Sequence, residues 1–125
     1  MNNIMKRICT IIFTAFLVLP SSCEKEPYIN LGFDSTINTN SNGLVIAHIP
    51  GNVNSVYLSG YVSLLEGEVE VILLNSKGYM VFSRTIIAPG KLHINEIFDA
   101  NHGYWKLKYK SRSGIGEIDL HIHNY

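Results

Sequence analysis

Beyond residue 43 the chain consists of short apolar or alternating segments separated by turn residues, at intervals of about ten. No segment after Cys23 has the i, i+3, i+4, i+7 apolar spacing of an amphipathic helix. The pattern predicts a single all-β domain over 44–125, an antiparallel sandwich of seven or eight strands. The predicted strands are 44–49, 56–65, 69–74, 79–87, 91–94, 105–110 and 117–123, with a turn at 75–78 and a loop at 96–103.

The last two predicted strands, 105–110 and 117–123, alternate strictly between apolar and polar residues. A hairpin that pairs Lys110 with Glu117 places every apolar side chain on one face and sets the lysines opposite acidic residues or a histidine. A slip of one residue would set lysines opposite isoleucines, so burial of the apolar face is expected to fix this register. The same pattern assigns Trp105 to the core.

An apolar segment near the start of the chain predicts export. Lys6 and Arg7 precede a 12-residue apolar run at 8–19, the layout of a secretory signal. As a helix this run rises about 18 Å, against roughly 30 Å of bilayer hydrocarbon, so a permanent transmembrane helix is not expected.

The end of this signal resembles the lipobox of bacterial lipoproteins. Leu19, Ser21, Ser22 and Cys23 match that motif, whereas Pro20 stands where a large aliphatic residue is usual. The resemblance implies that the signal peptide 1–22 is removed and that Cys23 carries fatty chains such as palmitate, which anchor the protein in the outer membrane. The alternative is a secreted protein, or an uncleaved N-terminal anchor, in which Cys23 is incidental.

Removal of the signal changes the composition. Residues 23–125 contain eight Lys or Arg and ten Asp or Glu, a net charge of −2 with neutral His. This charge favours neither nucleic acid nor anionic lipid as a partner. Cys9 leaves with the signal, so a lipidated Cys23 leaves no free thiol, which excludes disulfides, thiolate nucleophiles and Cys-ligated zinc.

Residues 23–43 are rich in Asn, Ser and Thr and predict a polar tether between anchor and domain. For residues 28–33 the alternative to a tether is a first strand that docks on the domain. Within the tether, Asp34-Ser35-Thr36 resembles the O-glycosylation acceptor of exported Bacteroidota proteins, at Ser35 or Thr36, with a plain polar turn as the alternative.

The spacing of glycines and strands over about 56–125 resembles Ig-like or fibronectin-like domains common in small Bacteroidota lipoproteins of unknown function. The segments that carry this resemblance are 69–73, Gly78, 103–107 and 114–118. The resemblance implies an Ig-like β-sandwich in the cell envelope but no shared activity, and the chain lacks the Cys pair of true immunoglobulin domains.

Two clusters could carry chemistry. His121 and His123 project from one strand face about 7 Å apart, a separation at which both can reach one metal ion, with a third ligand from His48, His93 or His102. Solvated histidines are the alternative that we prefer. Glu66, Glu68 and Glu70 suggest a calcium site or a glycosidase pair, but an exposed strand face fits them better, since no calcium-loop motif accompanies them. Standard catalytic motifs are absent from the sequence, so we expect no enzyme, no metal and no cofactor.

Tyrosine is the remaining signal, with seven in the chain. Tyr104 shares a strand face with lysines, so an outward ring beside the loop residues Asn101 and His102 is a candidate surface for a sugar or a partner protein. The predicted function is a lipid-anchored, non-catalytic binding or accessory module for a glycan or an envelope protein. The alternative is a structural envelope protein that assembles with itself through an edge strand.

Overall fold

The computed structural model describes residues 28–125, so the predicted signal peptide and Cys23 lie outside the described residues. This part of the chain forms six antiparallel strands. Among these residues no helix has the length and apolar character needed to cross a membrane. The strands are β1 (Asn30–Ile37), β2 (Asn42–Ile49), β3 (Ser55–Leu74), β4 (Met80–Ile87), β5 (Gly90–Asp99) and β6 (Gly103–His123).

Two long strands, β3 and β6, pair with each other along almost their whole length. On one side β1 and β2 both pair with β6, and on the other side β4 and β5 both pair with β3. The sheet therefore has two halves. The first half-sheet has the order β1, 116–123, 55–64, β5, and the second has the order β2, 103–112, 68–74, β4.

A bend separates the two halves. Between Leu64 and Glu68 the pairing of β3 with β6 is irregular, and Gly67 and Ser113 adopt positive φ angles of 76° and 55°. A Cβ atom on Gly67 would lie 2.2 Å from the carbonyl oxygen of Ser113, so only glycine fits there. The irregularity also changes the inward-facing set of β3. Even-numbered residues up to Leu64 face the core before the bend, and odd-numbered residues from Val69 face it afterwards.

Both halves contribute inward side chains to one hydrophobic core. Trp105 is the largest fully buried side chain, and its indole N–H donates to the main-chain oxygen of Asn101 at 2.8 Å. The buried polar atom of the core's bulkiest residue is thus satisfied.

The order in which successive strands belong to the two half-sheets defines the topology of the domain. Since β3 and β6 each continue from one half into the other, the chain contains eight strand segments in two layers, with the connections of a jelly roll. The prediction of an all-β antiparallel sandwich is confirmed, but the described residues form six continuous strands, of which β3 and β6 each supply a segment to both layers, in place of seven or eight separate strands. The connectivity differs from that of the Ig-like resemblance, because the central strands are shared by the two layers.

The predicted C-terminal hairpin is wrong. Residues 105–110 and 117–123 are the two halves of β6, and Lys110 lies opposite Asn42 and Glu70 rather than Glu117. The residues at 111–116, rich in Ser and Gly, form the bend and not a hairpin turn. The inward and outward faces were nevertheless correct, because alternation within one strand does not depend on its partner.

Two boundaries also need correction. The domain begins before residue 44, because β1 and the start of β2 lie within the predicted tether, and 28–33 contributes to a strand. Asp34, Ser35 and Thr36 are therefore exposed strand residues and not a turn. The predicted loop at 96–103 is strand as far as Asp99.

Candidate ligand-binding face

The outer face of the first half-sheet is built by alternation on β3 and β6. Between residues 55 and 64 of β3, valines and leucines face the core, so Tyr57, Ser59 and Tyr61 face outward. The register places His123 beside Tyr57 and His121 beside Ser59. We name this surface the tyrosine–histidine face; its members are Tyr28, Asn30, Tyr57, Ser59, Tyr61, Asp119, His121, His123 and Tyr125.

His123 is held on both ring nitrogens. Its Nδ1 lies 2.9 Å from the main-chain oxygen of Tyr125, and its Nε2 lies 2.7 Å from Ser59 Oγ. Because the main-chain oxygen only accepts, Nδ1 carries the proton, and in the neutral ring Nε2 accepts from the Ser59 hydroxyl. The Tyr57 ring stacks on the imidazole at a centroid distance of 5.5 Å and an angle of 9°. The imidazole is therefore fixed in tautomer and orientation.

His121 faces an acceptor oxygen at each ring nitrogen, one on the neighbouring strand β1 and one on its own strand β6. Its Nδ1 lies 3.0 Å from Asn30 Oδ1 and its Nε2 lies 2.9 Å from Asp119 Oδ1. The Asn30 amide donates to the hydroxyl of Tyr125 at 3.1 Å, which fixes the orientation of its oxygen toward His121. Asn30 thus connects β1, β6 and the segment after β6.

Two tyrosine rings close one end of this face. Tyr28 and Tyr125 stack at 4.9 Å, and their hydroxyls are 2.9 Å apart. The hydrogen bond from Tyr125, with a second from Asn30, lowers the pKa of Tyr28. The bond to Tyr28 raises the pKa of Tyr125. The Ile29 amide also donates to Asn124 Oδ1 at 3.0 Å, so the residues that follow β6 are tied to the start of β1.

At the other end of the face, Tyr61 lies among charged groups. Its hydroxyl donates to Glu117 Oε1 at 3.3 Å, and the Lys91 ammonium lies 4.3 Å from its ring centroid. The negative charge of Glu117 raises the pKa of Tyr61. Asp34 and Asp119 lie beside Tyr61 in the same row. Carboxylates therefore outnumber cations at this end of the face.

A cleft of about 360 Å³ opens in this face and is lined by Asn30, Ser59, Gly60, Asp119, His121, His123 and Tyr125. It offers hydroxyl, amide, imidazole and carboxylate groups whose positions are set by hydrogen bonds to each other. Such a set suits binding of a polyhydroxylated ligand. Ser59 is poorly placed as a nucleophile. Strand β3 is paired with β5 on one side and β6 on the other at this point, so the main-chain N–H groups of β3 are used in the sheet and are not available to stabilise an oxyanion.

The predicted ligand surface, Tyr104 with Asn101 and His102, lies at the start of β6 in the second half-sheet. Tyr104 is outward and 64 % exposed, with its ring 5.0 Å from that of His48, and His102 is exposed in the preceding loop. Asn101 is occupied in the fold, since its Oδ1 accepts from Ser76 Oγ at 2.6 Å and its main-chain oxygen accepts from Trp105. All of these lie at the second half-sheet, away from the tyrosine–histidine face.

The clusters considered for metal ions do not assemble. His121 and His123 use their ring nitrogens for hydrogen bonds within the protein. Glu68 forms an ion pair with Arg112 at 2.9 Å. Within 28–125 no group of three or more His, Cys, Asp or Glu side chains is arranged to hold a metal ion.

Sequence reasoning missed Asn30, Tyr57 and Ser59 as members of one site. The alternation Tyr57, Ser59, Tyr61 against buried Val56 and Leu58 was the available signal. Their meeting with His121 and His123 depends on pairing between strands that are 60 to 90 residues apart, as in the Ser59–His123 and Asn30–His121 contacts with separations of 64 and 91 residues.

Comparisons with known proteins add little. No protein-family model matches the chain, and no curated protein has a matching sequence. Among solved structures, the insecticidal delta-endotoxin Cry8Ea1 from Bacillus thuringiensis is similar with a TM-score of 0.48 and 12% sequence identity. The similarity covers 75% of this chain and 20% of that toxin chain, and we draw no functional conclusion from it.

Proposed function

We propose that this chain is a non-catalytic binding module of the cell envelope that binds a glycan through the tyrosine–histidine face. The observation that carries the proposal is the cleft in which Asn30, Ser59, Asp119, His121 and His123 hold one another in place. Side chains that are already ordered lose little rotamer entropy when a ligand binds.

The chemistry of the face favours a sugar. Hydroxyl groups both donate and accept, and the cleft supplies acceptors such as Asp119 beside donors such as the Asn30 amide. The rings of Tyr57 and Tyr125, next to His123, supply flat surfaces with a polar edge. Asp34, Glu117 and Asp119 disfavour an anionic sugar, so a neutral or amine-bearing glycan is the expected ligand.

A lipid on Cys23 would place this module at a membrane. Cys23 lies five residues before Tyr28, the first described residue. Five residues span at most about 18 Å, so an anchor at Cys23 keeps the Tyr28 end of the face close to the lipid. Labelling with palmitate tests this step: label in the wild type and none in Cys23→Ala is expected, and an unlabelled wild type contradicts it.

Binding can be measured with residues 24–125, which contain all six strands and the whole described core. A screen of neutral, amine-bearing and acidic polysaccharides, followed by calorimetry, is expected to find binding of the first two classes. Tyr57→Ala and His123→Ala should each weaken binding at least about tenfold, equal to 1.4 kcal/mol.

Tyr104→Ala is the matched control, because Tyr104 is an exposed tyrosine on the other half-sheet. Its affinity should equal that of the wild type. Absence of binding to every polysaccharide, or an equal loss in Tyr104→Ala, contradicts the proposal.

The sheet edges favour one form of the alternative, self-assembly. The edge strands β4 and β5 each carry a charged residue on the side that faces the core: Arg84 lies opposite buried Val71, and Glu96 lies opposite buried Leu58. Both charged residues remain solvent-exposed because they lie at the sheet edge, and such charges disfavour pairing with another strand. The edge strands β1 and β2 carry no inward-facing charge. Self-assembly would use the β1–β2 edge, and strictly monomeric sedimentation of 24–125 at high concentration would exclude it.

A further inference from the structure

The outer face of the second half-sheet has a different character. Lys106, Lys108 and Lys110 project from β6 in one column, with neighbours about 7 Å apart along the strand. The register places aliphatic residues on both sides of two of them: Leu44 and Ile72 beside Lys108, and Ile46 and Leu74 beside Lys106. We name this surface the lysine face, and its members are Leu44, Ile46, Ile72, Leu74, Lys106, Lys108 and Lys110.

Within the described residues 28–125, none of the three lysines forms an ion pair. The ion pairs within 28–125 are Arg112 with Glu68 and His121 with Asp119. Glu70 lies beside Lys110 in the register, so one carboxylate adjoins this column. Residues 28–125 contain seven Lys or Arg and eight Asp or Glu, so the positive charge of this face reflects segregation and not an excess in the domain.

Two of the four aliphatic residues of the lysine face, Leu44 and Ile46, are exposed, and the other two, Ile72 and Leu74, are half-buried. Leu44 and Ile46 are 54 % and 49 % exposed, although both belong to a strand whose other side is packed on the core. A cleft of about 300 Å³ opens here, and its lining includes Leu44, Ile72, Lys108, Lys110 and the acidic residue Glu70. Two cationic groups and one carboxylate therefore border a depression with aliphatic walls on the outer side of the sheet.

The geometry points to docking of the lysine face on an anionic lipid bilayer, with headgroup phosphates at Lys108 and Lys110 and the aliphatic rows in the interfacial region. Charge complementarity favours an anion, and the exposed aliphatic row of β2, Leu44 and Ile46, favours a partner that is also apolar. A bilayer with anionic headgroups supplies both over the breadth of a sheet, and lysine stems can lie along the aliphatic groups while the ammonium groups reach phosphate. Nucleic acid offers the charge without the apolar layer.

This docking is independent of the glycan site, since it uses the opposite outer face and needs neither a sugar nor a lipid on Cys23. It is tested by co-sedimentation of residues 24–125 with vesicles of phosphatidylcholine alone or with added phosphatidylglycerol. Binding is expected only to vesicles that contain phosphatidylglycerol, and it should weaken as salt is raised. Equal binding to both vesicles, or to neither, overturns the proposal.

Variants locate the surface. Each lysine is expected to contribute about fivefold, so Lys108→Ala should weaken binding about fivefold and the variant with all three lysines changed to Ala about 100-fold. Lys91→Ala removes the same charge from the opposite outer face, beside Tyr61, and should have little effect. Glu70→Gln should strengthen binding. An equal loss in Lys91→Ala and Lys108→Ala would show a general charge effect and overturn the assignment.

Two further measurements test whether the aliphatic side chains contribute to vesicle binding and whether the bound phosphate belongs to a lipid headgroup or is a free anion. Leu44→Ser is expected to weaken vesicle binding about threefold to tenfold without a change in net charge. Inorganic phosphate at the concentration of the headgroups should not compete. Effective competition by phosphate with unchanged binding by Leu44→Ser would show a simple anion site. An acidic peptide that binds while vesicles do not would show a protein partner; either result overturns docking on lipid.

Discussion

The two outer faces of this sandwich are made by the same alternation on the same long strands, yet their side chains behave differently. On the first half-sheet the outward residues of β3 and β6 are half-buried and bonded to one another, as Ser59 is to His123. On the second, the outward lysines of β6 are exposed and form no ion pair within 28–125. The first face is ordered before a ligand arrives and suits selective binding, whereas the second keeps its side-chain freedom and suits attraction to an extended charged surface.

The largest expected effect comes from a change that disturbs both faces together. Gly67→Val should destabilise the domain by about 3 kcal/mol or more, because its side chain would collide with the carbonyl of Ser113 at the bend. Urea denaturation measures the loss. Gly78→Val is the matched control, since Gly78 also has positive φ but a Cβ there meets no atom within 4 Å. Equal losses in the two variants would mean that the close approach at the bend does not matter.

A second change separates the faces by their hydrogen bonds. Asn30→Ala should cost about 1 to 2 kcal/mol of unfolding free energy, because it removes a bond to His121 and a bond to Tyr125. Asn42→Ala, at an exposed position beside Lys110, should stay within about 0.5 kcal/mol of the wild type. If the two asparagines proved equivalent, the first face would not be held by the bonds described.

A third change addresses the lysine face by itself. Lys108→Ala should alter the free energy of unfolding by less than about 0.5 kcal/mol, because the ammonium group has no ion-pair partner among the described residues. The same variant is expected to bind anionic vesicles about fivefold more weakly, so the substitution should change binding while leaving stability nearly unchanged. A large loss of stability would show that Lys108 has a structural role.

The smallest effect is an alkaline one at the tyrosine–histidine face. Because the charge of Glu117 raises the pKa of Tyr61, the folded state holds that proton more tightly than the unfolded state. The resulting stability is complete below the ordinary tyrosine pKa of about 10 and is lost as pH rises from there through the raised value. Tyr61→Phe should lack this step in urea denaturation measured across the alkaline range. An identical pH profile in the two proteins would contradict it.

Local alternation in the sequence was enough to predict the strands' inward and outward faces, but not their partners. Trp105, Leu107 and Ile118 were assigned inward and are buried. The hairpin failed because the run Ser111–Gly116 has the composition of a turn, and only long-range packing distinguishes a turn from a bend within a strand. The edge strand β1 was predicted only as an alternative to a tether, and only over 28–33, because half of its residues are polar and exposed.

The candidate site was harder to predict than the fold for a related reason. Tyr104, Asn101 and His102 were grouped because they are adjacent in sequence, whereas the ordered cleft collects Asn30, Ser59 and His123 from three distant strands. Their proximity follows from strand register, which a single sequence does not reveal without the topology. His121 and His123 were noticed, but their partners were not.

The irregular pairing around Gly67 has a consequence for how this architecture tolerates insertion and deletion. Since the bend already breaks strict alternation in both long strands, a register shift introduced into one layer can be absorbed there before it reaches the other. The two layers can therefore diverge separately, one toward recognition of small molecules and the other toward adhesion, while the shared central strands keep them on a single core.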